Sequence, residues 1–357
     1  MSNALFKQSF NSVPTIVSAA NGRVNLMGDH TDYNAGLVLP CQLTHQTTVY
    51  MARRKDDMIN GVSDKFGPQS RAIDAPVDGG WLDFVTGAVH MLREKGGQIG
   101  GVDLLVTSDV PAGAGVSSSA ALEIALLRGM QELFDLTAID PVEMALMAQR
   151  LEHDFIGTKC GIMDQMVSSA ASSGQAMMLD CQSLHFSMND LFVDAHFVVM
   201  HCGSSRKLSE GLYNTRLQEC EAAASALGCD NLRAADMPML KAIADPQLQR
   251  RARHVVSENL RVQAAVDFLK GEDAIGFGHL MTASHESLRD DYEVSSPELD
   301  RLTTAFLDHG AFGARLTGAG FGGCVVALCA ANELDEINSK VKQICQESFV
   351  VDIISAA

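Results

Sequence analysis

Between residues 101 and 134 the chain changes its hydrophobic rhythm twice. The run GVDLLVTSDV reads as a strand. A small-residue turn with Pro111, Gly113 and Gly115 follows, and then Ser117, Ser118 and Ser119. From Ala120 onward Leu122, Leu126, Met130, Leu133 and Phe134 recur at helical spacing, with Glu123, Arg128, Gln131 and Glu132 between them. The pattern predicts a glycine turn running into an amphipathic helix that has three hydroxyls at its cap positions. A strand, a glycine turn and a helix N-terminus together suit an anion, because open N–H groups and the helix dipole both favour negative charge. An ordinary capped helix after a tight turn would show the same pattern.

Upstream, two short apolar runs flank Asn21-Gly22, a hairpin turn signal. The polar cluster Gly28-Asp29-His30-Thr31-Asp32-Tyr33-Asn34 comes next, before the apolar run GLVLPCQL. Such a cluster between strands is commonly just a loop. Its excess of acceptors also suits a polyhydroxylated ligand, whose hydroxyls donate to carboxylates and accept from imidazole or amide groups. QTTVYMA reads as a strand, 53–80 as irregular, and Trp81 as the opening of a helix. A lone Trp is more often core than ligand platform. Asp140-Pro141-Val142-Glu143 predicts a helix start with Asp at the cap, Pro at N1 and Glu at N3. Glu152 then lies on the edge of that helix's apolar stripe, as a salt-bridge partner or a ligand group. Asp164 falls in the first turn of another helix, where it could simply complement the dipole.

Further on, AMMLD (176–180) and HFVVMHC (196–202) read as strands, and 217–227 and 252–269 as helices. ESLRDDYE (286–293) reads as a loop or helix end. Gly318, Gly320 and Gly323 match G-x-G-x-x-G, but the apolar run CVVALCA follows where a dinucleotide fingerprint needs a helix. No P-loop sequence is present.

Composition narrows the ligands. The 27 Lys and Arg face 44 Asp and Glu, a formal charge of −17, which argues against a nucleic-acid surface. A phosphate must then be held locally, by backbone amides or a metal. The 357 residues, 46% hydrophobic and 20% charged, fit a globular protein of one or two domains. Nine cysteines without C-x-x-C pairs suit reduced thiols in a cytoplasmic protein. MSNALFKQSF shows no leader pattern, and no apolar run reaches membrane-span length.

Three stretches, GRVNLMGDHTDYN, PAGAGVSSSAA and LTGAGFGGC, resemble in this order and spacing the three signature motifs of the GHMP small-molecule kinases. The first looks like the galactokinase signature, as do CGIMDQ, LYNTRLQEC, RARHVV and SLRDDYEVSSPELD. The resemblance spans roughly residues 20–330. It implies a two-domain α/β (α+β) fold, with a ribosomal-S5-like N-terminal domain over 1–182 and a ferredoxin-like C-terminal domain over 183–357. It implies an ATP-dependent transfer of a phosphoryl group to the anomeric hydroxyl of galactose, in a cytoplasmic monomer whose partners are sugar and ATP, with no nucleic acid or membrane. ATP would lie on Pro111, Gly113, Gly115, Ser117, Ser118 and Ser119, with Trp81 set beside them. Mg²⁺ would be held by Ser119 and Glu152, a small ligand set of the size this ion accepts. Arg23, Asp29, His30, Asp32, Gly161, Asp164 and Tyr213 match sugar-binding positions, and Gly318, Gly320, Gly322 and Gly323 would line the substrate side. Asp164 would orient the anomeric hydroxyl or accept its proton. Arg23 would keep that carboxylate ionised and offset phosphoryl charge.

The chain departs from the family pattern twice. Asn21 stands for the usual proline before Gly-Arg. Asp29 stands for a glutamate that reaches the C6 end of the sugar, so the sugar shifts, a water fills the gap, or the preferred sugar differs at C6 or C2. The alternatives are thus a 1-kinase for N-acetylgalactosamine or a uronic acid, and a non-catalytic galactose sensor. Sensors lose small residues from the serine loop, whereas Ser117, Ser118, Ser119, Ala120 and Ala121 are all present here.

Overall fold

The computed structural model describes residues 2–111, 114–204 and 209–356. Helix α1 (Ser2–Phe10) precedes strands β1 (Ile16–Asn25), β2 (Leu37–Val38), β3 (Pro40–Arg53), β4 (Met58–Ser63) and β5 (Gly67–Ala72). Next come α2 (Asp83–Glu94), β6 (Val102–Ser108), α3 (Ser118–Leu133) and α4 (Pro141–Leu151). A π-helical turn over Glu152–Ile156 leads towards α5 (Met163–Ala170). Strands β7 (Gln175–Asp180), β8 (Phe186–Asp190) and β9 (Ala195–His201) follow, then α6 (Ser209–Leu227), α7 (Pro246–Lys270), α8 (Ala274–Asp290) and α9 (Pro297–Asp308). The chain ends with β10 (Gly313–Thr317), β11 (Cys324–Ala330), α10 (Leu334–Ile344) and β12 (Phe349–Ile354). The mixed α/β class expected from the sequence is the class observed.

Contacts divide the chain into two units, and neither is one continuous segment. The first takes the chain up to Gly22, His45–Pro111 and Ser117–Ala170. The second takes Arg23–Thr44, 114–116 of the glycine turn, and the chain from Ala171 onward. This differs from the consecutive segments 1–182 and 183–357. The reason is strand pairing: β2 joins β7 in antiparallel register, Leu37 opposite Asp180, so 171–182 and the polar loop before β2 fall in one unit.

In the first unit, β6 lies between the later part of β3 and β4. Its pairing with β3 is antiparallel, from Thr47 opposite Ser108 to Arg53 opposite Val102, and its pairing with β4 is parallel. A hairpin joins β4 to β5, with Ser63 opposite Gly67. The irregular chain expected over 53–80 thus contains a hairpin, whose inward positions in β4 are Ile59, Gly61 and Ser63 and whose β5 is mostly polar, so no hydrophobic period shows. Helices α2, α3 and α4 close the core with Val85, Val89, Ile124, Leu127, Met147 and Leu151. The expected turn at Asn21-Gly22 does not form, since both residues continue within β1. There the Asn21 carbonyl accepts a hydrogen bond from Ser168 Oγ at 2.9 Å.

Helix α3 is buried nearly all round rather than amphipathic, and Glu123, placed by its spacing between stripe positions, is fully buried. Ala120, Ala121, Ala125 and Gly129 keep the helix thin enough for close packing on every side. A Cβ at Gly129 would stand 2.9 Å from Met51 and 3.0 Å from Ser18.

The second unit contains an antiparallel sheet of order β10-β11-β9-β12. Its core includes Val198, Met200, Val255, Leu302, Phe306, Leu316 and Val325. The long α7 starts as its sequence dictates: Asp245 caps it by accepting from Gln247 N and Leu248 N, and Pro246 occupies the first turn. The segment 286–293 is the end of α8 and the turn after it. Among the described residues no helix is long and apolar enough to cross a membrane.

Candidate active site

In the first unit the serine run meets two carboxylates. Ser117 occupies the cap position of α3, but its backbone is left-handed (φ 61°, ψ 50°) and its hydroxyl caps nothing. It donates instead to Asp164 Oδ2 on the first turn of α5. Ser118 opens α3, and Ser119, half-buried one residue on, donates to Glu152 Oε1 at 3.2 Å. Pro111 is a half-buried loop residue and Gly161 a buried one just before α5. Gly113 lies outside the described residues.

Glu152 is buried where α4 widens into the π-turn. Its second oxygen accepts from Gln165 Nε2 at 2.8 Å and from Cys160 Sγ at 3.4 Å. Gln165 also reaches Glu123 Oε2 at 3.3 Å. Burial, and then the Asp164 charge, push the Glu152 carboxyl up. Burial, and then the Glu152 charge, push the Glu123 carboxyl up as well. Three carboxyl groups thus converge beside a serine hydroxyl, and Glu123 Oε1 has no hydrogen-bond partner. A cation there would relieve both the repulsion and the desolvation. Among the described residues no group of three or more His, Cys, Asp or Glu forms a metal cage. The pair Ser119 and Glu152 nevertheless fits a Mg²⁺ that keeps most of its waters.

Glu123, Cys160 and Gln165 escaped the sequence reading as site residues. The signal was Glu123 itself, a carboxylate one helical turn after Ser119 amid alanines and leucines. Trp81 is 8% exposed and packs in the first unit's apolar core beside Leu82 and Gly61.

The second unit holds the polar loop and the last glycine motif. Arg23, 6% exposed, donates to the Gly115 carbonyl at 2.7 Å, and its backbone N–H donates to Val116. The loop after Gly28 builds its own scaffold. Thr31 Oγ1 donates to the Gly28 and Leu37 carbonyls, and Asn34 Nδ2 to the His30 carbonyl at 3.0 Å. Thr31 and Asn34 therefore shape the loop. Half-buried Asp32 starts a 3₁₀ turn, and His30 adopts a left-handed φ of 65°. The His30 ring lies 5.9 Å, centroid to centroid, from that of Tyr213, and 4.8 Å from that of Tyr292.

Asp29 is 2% exposed and has both oxygens engaged: Oδ2 with Arg315 Nη2, Oδ1 with Gly318 N at 3.0 Å. Arg315, itself fully buried, also lies 3.7 Å from Glu258 Oε1. Burial pushes the Asp29 carboxyl up against the pull of Arg315 and Arg23. Burial acts on Glu258 too, but Arg261 and Arg315 outweigh it and hold its carboxyl well below the usual range. Gly318, Gly320, Gly322 and Gly323 all have positive φ, and β11 follows them as a strand, so this loop is not a dinucleotide fingerprint. The Gly318 N–H donates to the Asp29 carboxylate, and Gly320 approaches backbone closely, since a Cβ on it would stand 2.3 Å from the Val294 carbonyl oxygen.

The two groups of residues, one in each unit, coincide with known family features. Residues 83–172 match the model for the GHMP kinase N-terminal domain and 264–347 that for the GHMP kinase C-terminal domain. Residues 4–53 match the galactokinase galactose-binding signature. The chain is similar to the Lactococcus lactis galactokinase solved with galactose, at 33% identity and a TM-score of 0.92, over 99% of this chain and 98% of that one. The Methanococcus jannaschii mevalonate kinase has the same fold at 17% identity (TM-score 0.73; 96% and 98% covered). So has the Streptococcus pneumoniae phosphomevalonate kinase, at 14% (0.71; 95% and 99%).

Proposed function

The chain belongs to the galactokinases of the GHMP kinase family, and on that premise we propose that Asp164 and Arg23 are the catalytic groups of an ATP:galactose 1-phosphotransferase. The enzyme is an ATP-dependent sugar kinase. Its reaction moves the γ-phosphoryl group of ATP to the anomeric hydroxyl of galactose, giving galactose 1-phosphate. The observation that carries the reading is 33% identity with a galactokinase over nearly the whole of both chains.

Each role follows from residue chemistry. Asp164, steadied by Ser117, orients the anomeric hydroxyl and takes its proton as the new O–P bond forms. Arg23, its guanidinium steadied by Gly115, supplies fixed positive charge for the phosphoryl group. The serine turn and the start of α3 offer backbone N–H groups to phosphate. Ser119 and Glu152 hold Mg²⁺, which when bound neutralises phosphate charge. His30, Asp32, Gly161 and Tyr213 serve the sugar. Asp29, with both oxygens committed to Arg315 and the Gly318 N–H, orders the C6 side of the sugar site rather than bonding the 6-hydroxyl tightly.

The test is ADP release from ATP with galactose, N-acetylgalactosamine, galacturonate, glucose or no sugar. Galactose should give the highest kcat/KM. Faster turnover with another hexose would keep the reaction and change the substrate, and sugar-independent ADP release alone would overturn the proposal.

A further inference from the structure

Four side chains of the second unit form a continuous hydrogen-bonded line ending at His30. Cys220 Sγ lies 3.0 Å from Tyr292 Oη, Tyr292 Oη 2.7 Å from Tyr33 Oη, and Tyr33 Oη 2.7 Å from His30 Nδ1. Tyr292 and Cys220 are buried, and the Tyr292 ring is also packed between the imidazoles of His30 and His254. Tyr33 and Tyr292 stand 259 residues apart in sequence, so nothing in the linear pattern joins them.

Each hydroxyl and the thiol carries one hydrogen, so the direction of one bond fixes the others. Burial pushes both phenols well above their usual range and the thiol up to about 11, and all three keep their hydrogens at neutral pH. Two arrangements close the line. In one, Tyr33 donates to His30 Nδ1, Tyr292 to Tyr33, and Cys220 to Tyr292. In the other, Nδ1–H donates to Tyr33 and the line runs in reverse, ending with Tyr292 donating to sulfur. A phenol is a better donor than a neutral imidazole N–H, and an imidazole nitrogen is a better acceptor than a phenol oxygen. The first arrangement has the better bond at the His30 end, and at the sulfur end the two differ little, because a thiol is a weak donor as well as a weak acceptor.

We infer that Cys220, Tyr292 and Tyr33 hold His30 as the Nε2–H tautomer, which makes Tyr33 and Tyr292 positioning residues for the sugar contact of His30. The bond made by one ring nitrogen decides which hydrogen the other carries. His30 is then a donor to a sugar oxygen and cannot accept from a sugar hydroxyl, so the hydroxyl facing it must send its own hydrogen elsewhere. The inference rests on His30 serving the sugar, as proposed above.

The test begins without sugar or ATP. Protein labelled with ¹⁵N-histidine is examined by long-range ¹H–¹⁵N correlation at pH 8, with the His30 signals identified by their loss in His30→Gln. Wild type should show the Nε2–H pattern, and an Nδ1–H pattern would overturn the inference. Tyr33→Phe keeps the ring and removes the bond to Nδ1, so both tautomers should appear. Sugar KM should then rise about five- to tenfold, with kcat changed less than twofold and the ATP KM unchanged. Tyr292→Phe should move the same readouts in the same direction by about two- to threefold. An unaltered tautomer with an unaltered sugar KM in both variants would also sink the idea. The tautomer is read on the free protein, so a failure of wild type to phosphorylate galactose bears on the proposed function alone, and KM is then measured on the sugar that is accepted.

Discussion

Ser117 donates its hydroxyl to the Asp164 carboxylate, although it stands at the cap position of its own helix and Asp164 is 47 residues away. The left-handed backbone at Ser117 makes this possible, because it turns the side chain away from the N–H groups that a cap would satisfy. A non-glycine residue in that region carries strain of roughly 1 kcal/mol or more. Local stability is given up so that a hydroxyl can fix a carboxylate.

Ser117→Ala and Ser117→Gly separate the two effects. Both lose the hydrogen bond to Asp164, so both should lose about tenfold or more in kcat. Glycine tolerates the left-handed backbone and alanine does not, so the glycine variant should be about 1 kcal/mol the more stable of the pair. Steady-state kinetics with thermal denaturation checks this, and equal melting temperatures would mean that the backbone is unstrained.

Asp164→Ala should reduce kcat by about 10²–10⁴-fold, the usual contribution of a placed acid–base group. Arg23→Ala should cost a similar factor, and the double variant should lose much less than the product. Circular dichroism should show the fold intact in each. Turnover of Asp164→Ala within about threefold of wild type would remove Asp164 from the mechanism.

The sequence made some of this legible and hid the rest for physical reasons. Local rules were enough for Asp140 as a cap and for Asp164 in the first turn of a helix, because both depend on neighbours within four residues. The order of the three motifs was enough for the family. The spacing places Glu123 between the stripe positions, and periodicity cannot tell a helix wet on one face from one covered on every face. The Asp29–Arg315 pair spans 286 residues and the Tyr33–Tyr292 contact 259, so both are products of the tertiary fold. Hairpin β4–β5 went unread because its strands carry little hydrophobic signal.

Glu152 should be the residue through which the metal is felt. Glu152→Ala is expected to raise the Mg²⁺ concentration for half-maximal rate, and to weaken Mn²⁺ binding measured by calorimetry in the presence of ADP. Gln165→Leu should shift the same titration by a smaller factor, since Gln165 orients Glu152 Oε2 and such supporting contacts typically contribute about 10- to 100-fold. Unchanged metal titrations in Glu152→Ala would leave Glu152 as a structural carboxylate only.

Stability should fall in acid partly because of His254. Burial is the main cause that brings its pKa down to about 4, against an unfolded value of about 6.5. Between those values the unfolded chain binds a proton that the folded one refuses, so unfolding gains protons as pH falls. The contribution of His254 is therefore complete above pH 6.5 and lost on the way down to 4, by at most about 3 kcal/mol. His285, also brought down to about 4 chiefly by burial, acts in the same direction. Melting temperatures of wild type and His254→Gln at pH 8, 6.5, 5 and 4.5 isolate the effect, because carboxylate contributions largely cancel between the two proteins. The variant should show the shallower acid slope.

The last prediction concerns Asp29, where this chain is one methylene shorter than the family pattern. Its carboxylate is 2% exposed and held by Arg315 and the Gly318 N–H. Arg315 is fully buried, with Glu258 as a second and more distant anion at 3.7 Å. Removing one partner of a buried pair leaves the other charge exposed to the interior, at a cost of about 3–5 kcal/mol. Asp29→Ala should therefore lower the melting temperature clearly, whereas a residue that only touched sugar would alter KM and leave stability alone. The substrate side of the argument has the same origin. A carboxylate committed to Arg315 gives the 6-hydroxyl no tightly matched partner, so removal of that hydroxyl leaves little unpaired. Galactose and 6-deoxygalactose should then differ by less than about tenfold in kcat/KM, well short of the 10⁴–10⁵ that a dedicated polar partner enforces. Galacturonate should be poor, because its carboxylate would approach a site where Asp29 and Glu258 already face the buried arginine. Kinetics on these three sugars, together with the melting temperature of Asp29→Ala, decides the assignment. An unchanged melting temperature with a strong preference for galactose over 6-deoxygalactose would make Asp29 a direct sugar ligand, and galacturonate as the best substrate would overturn the choice of galactose.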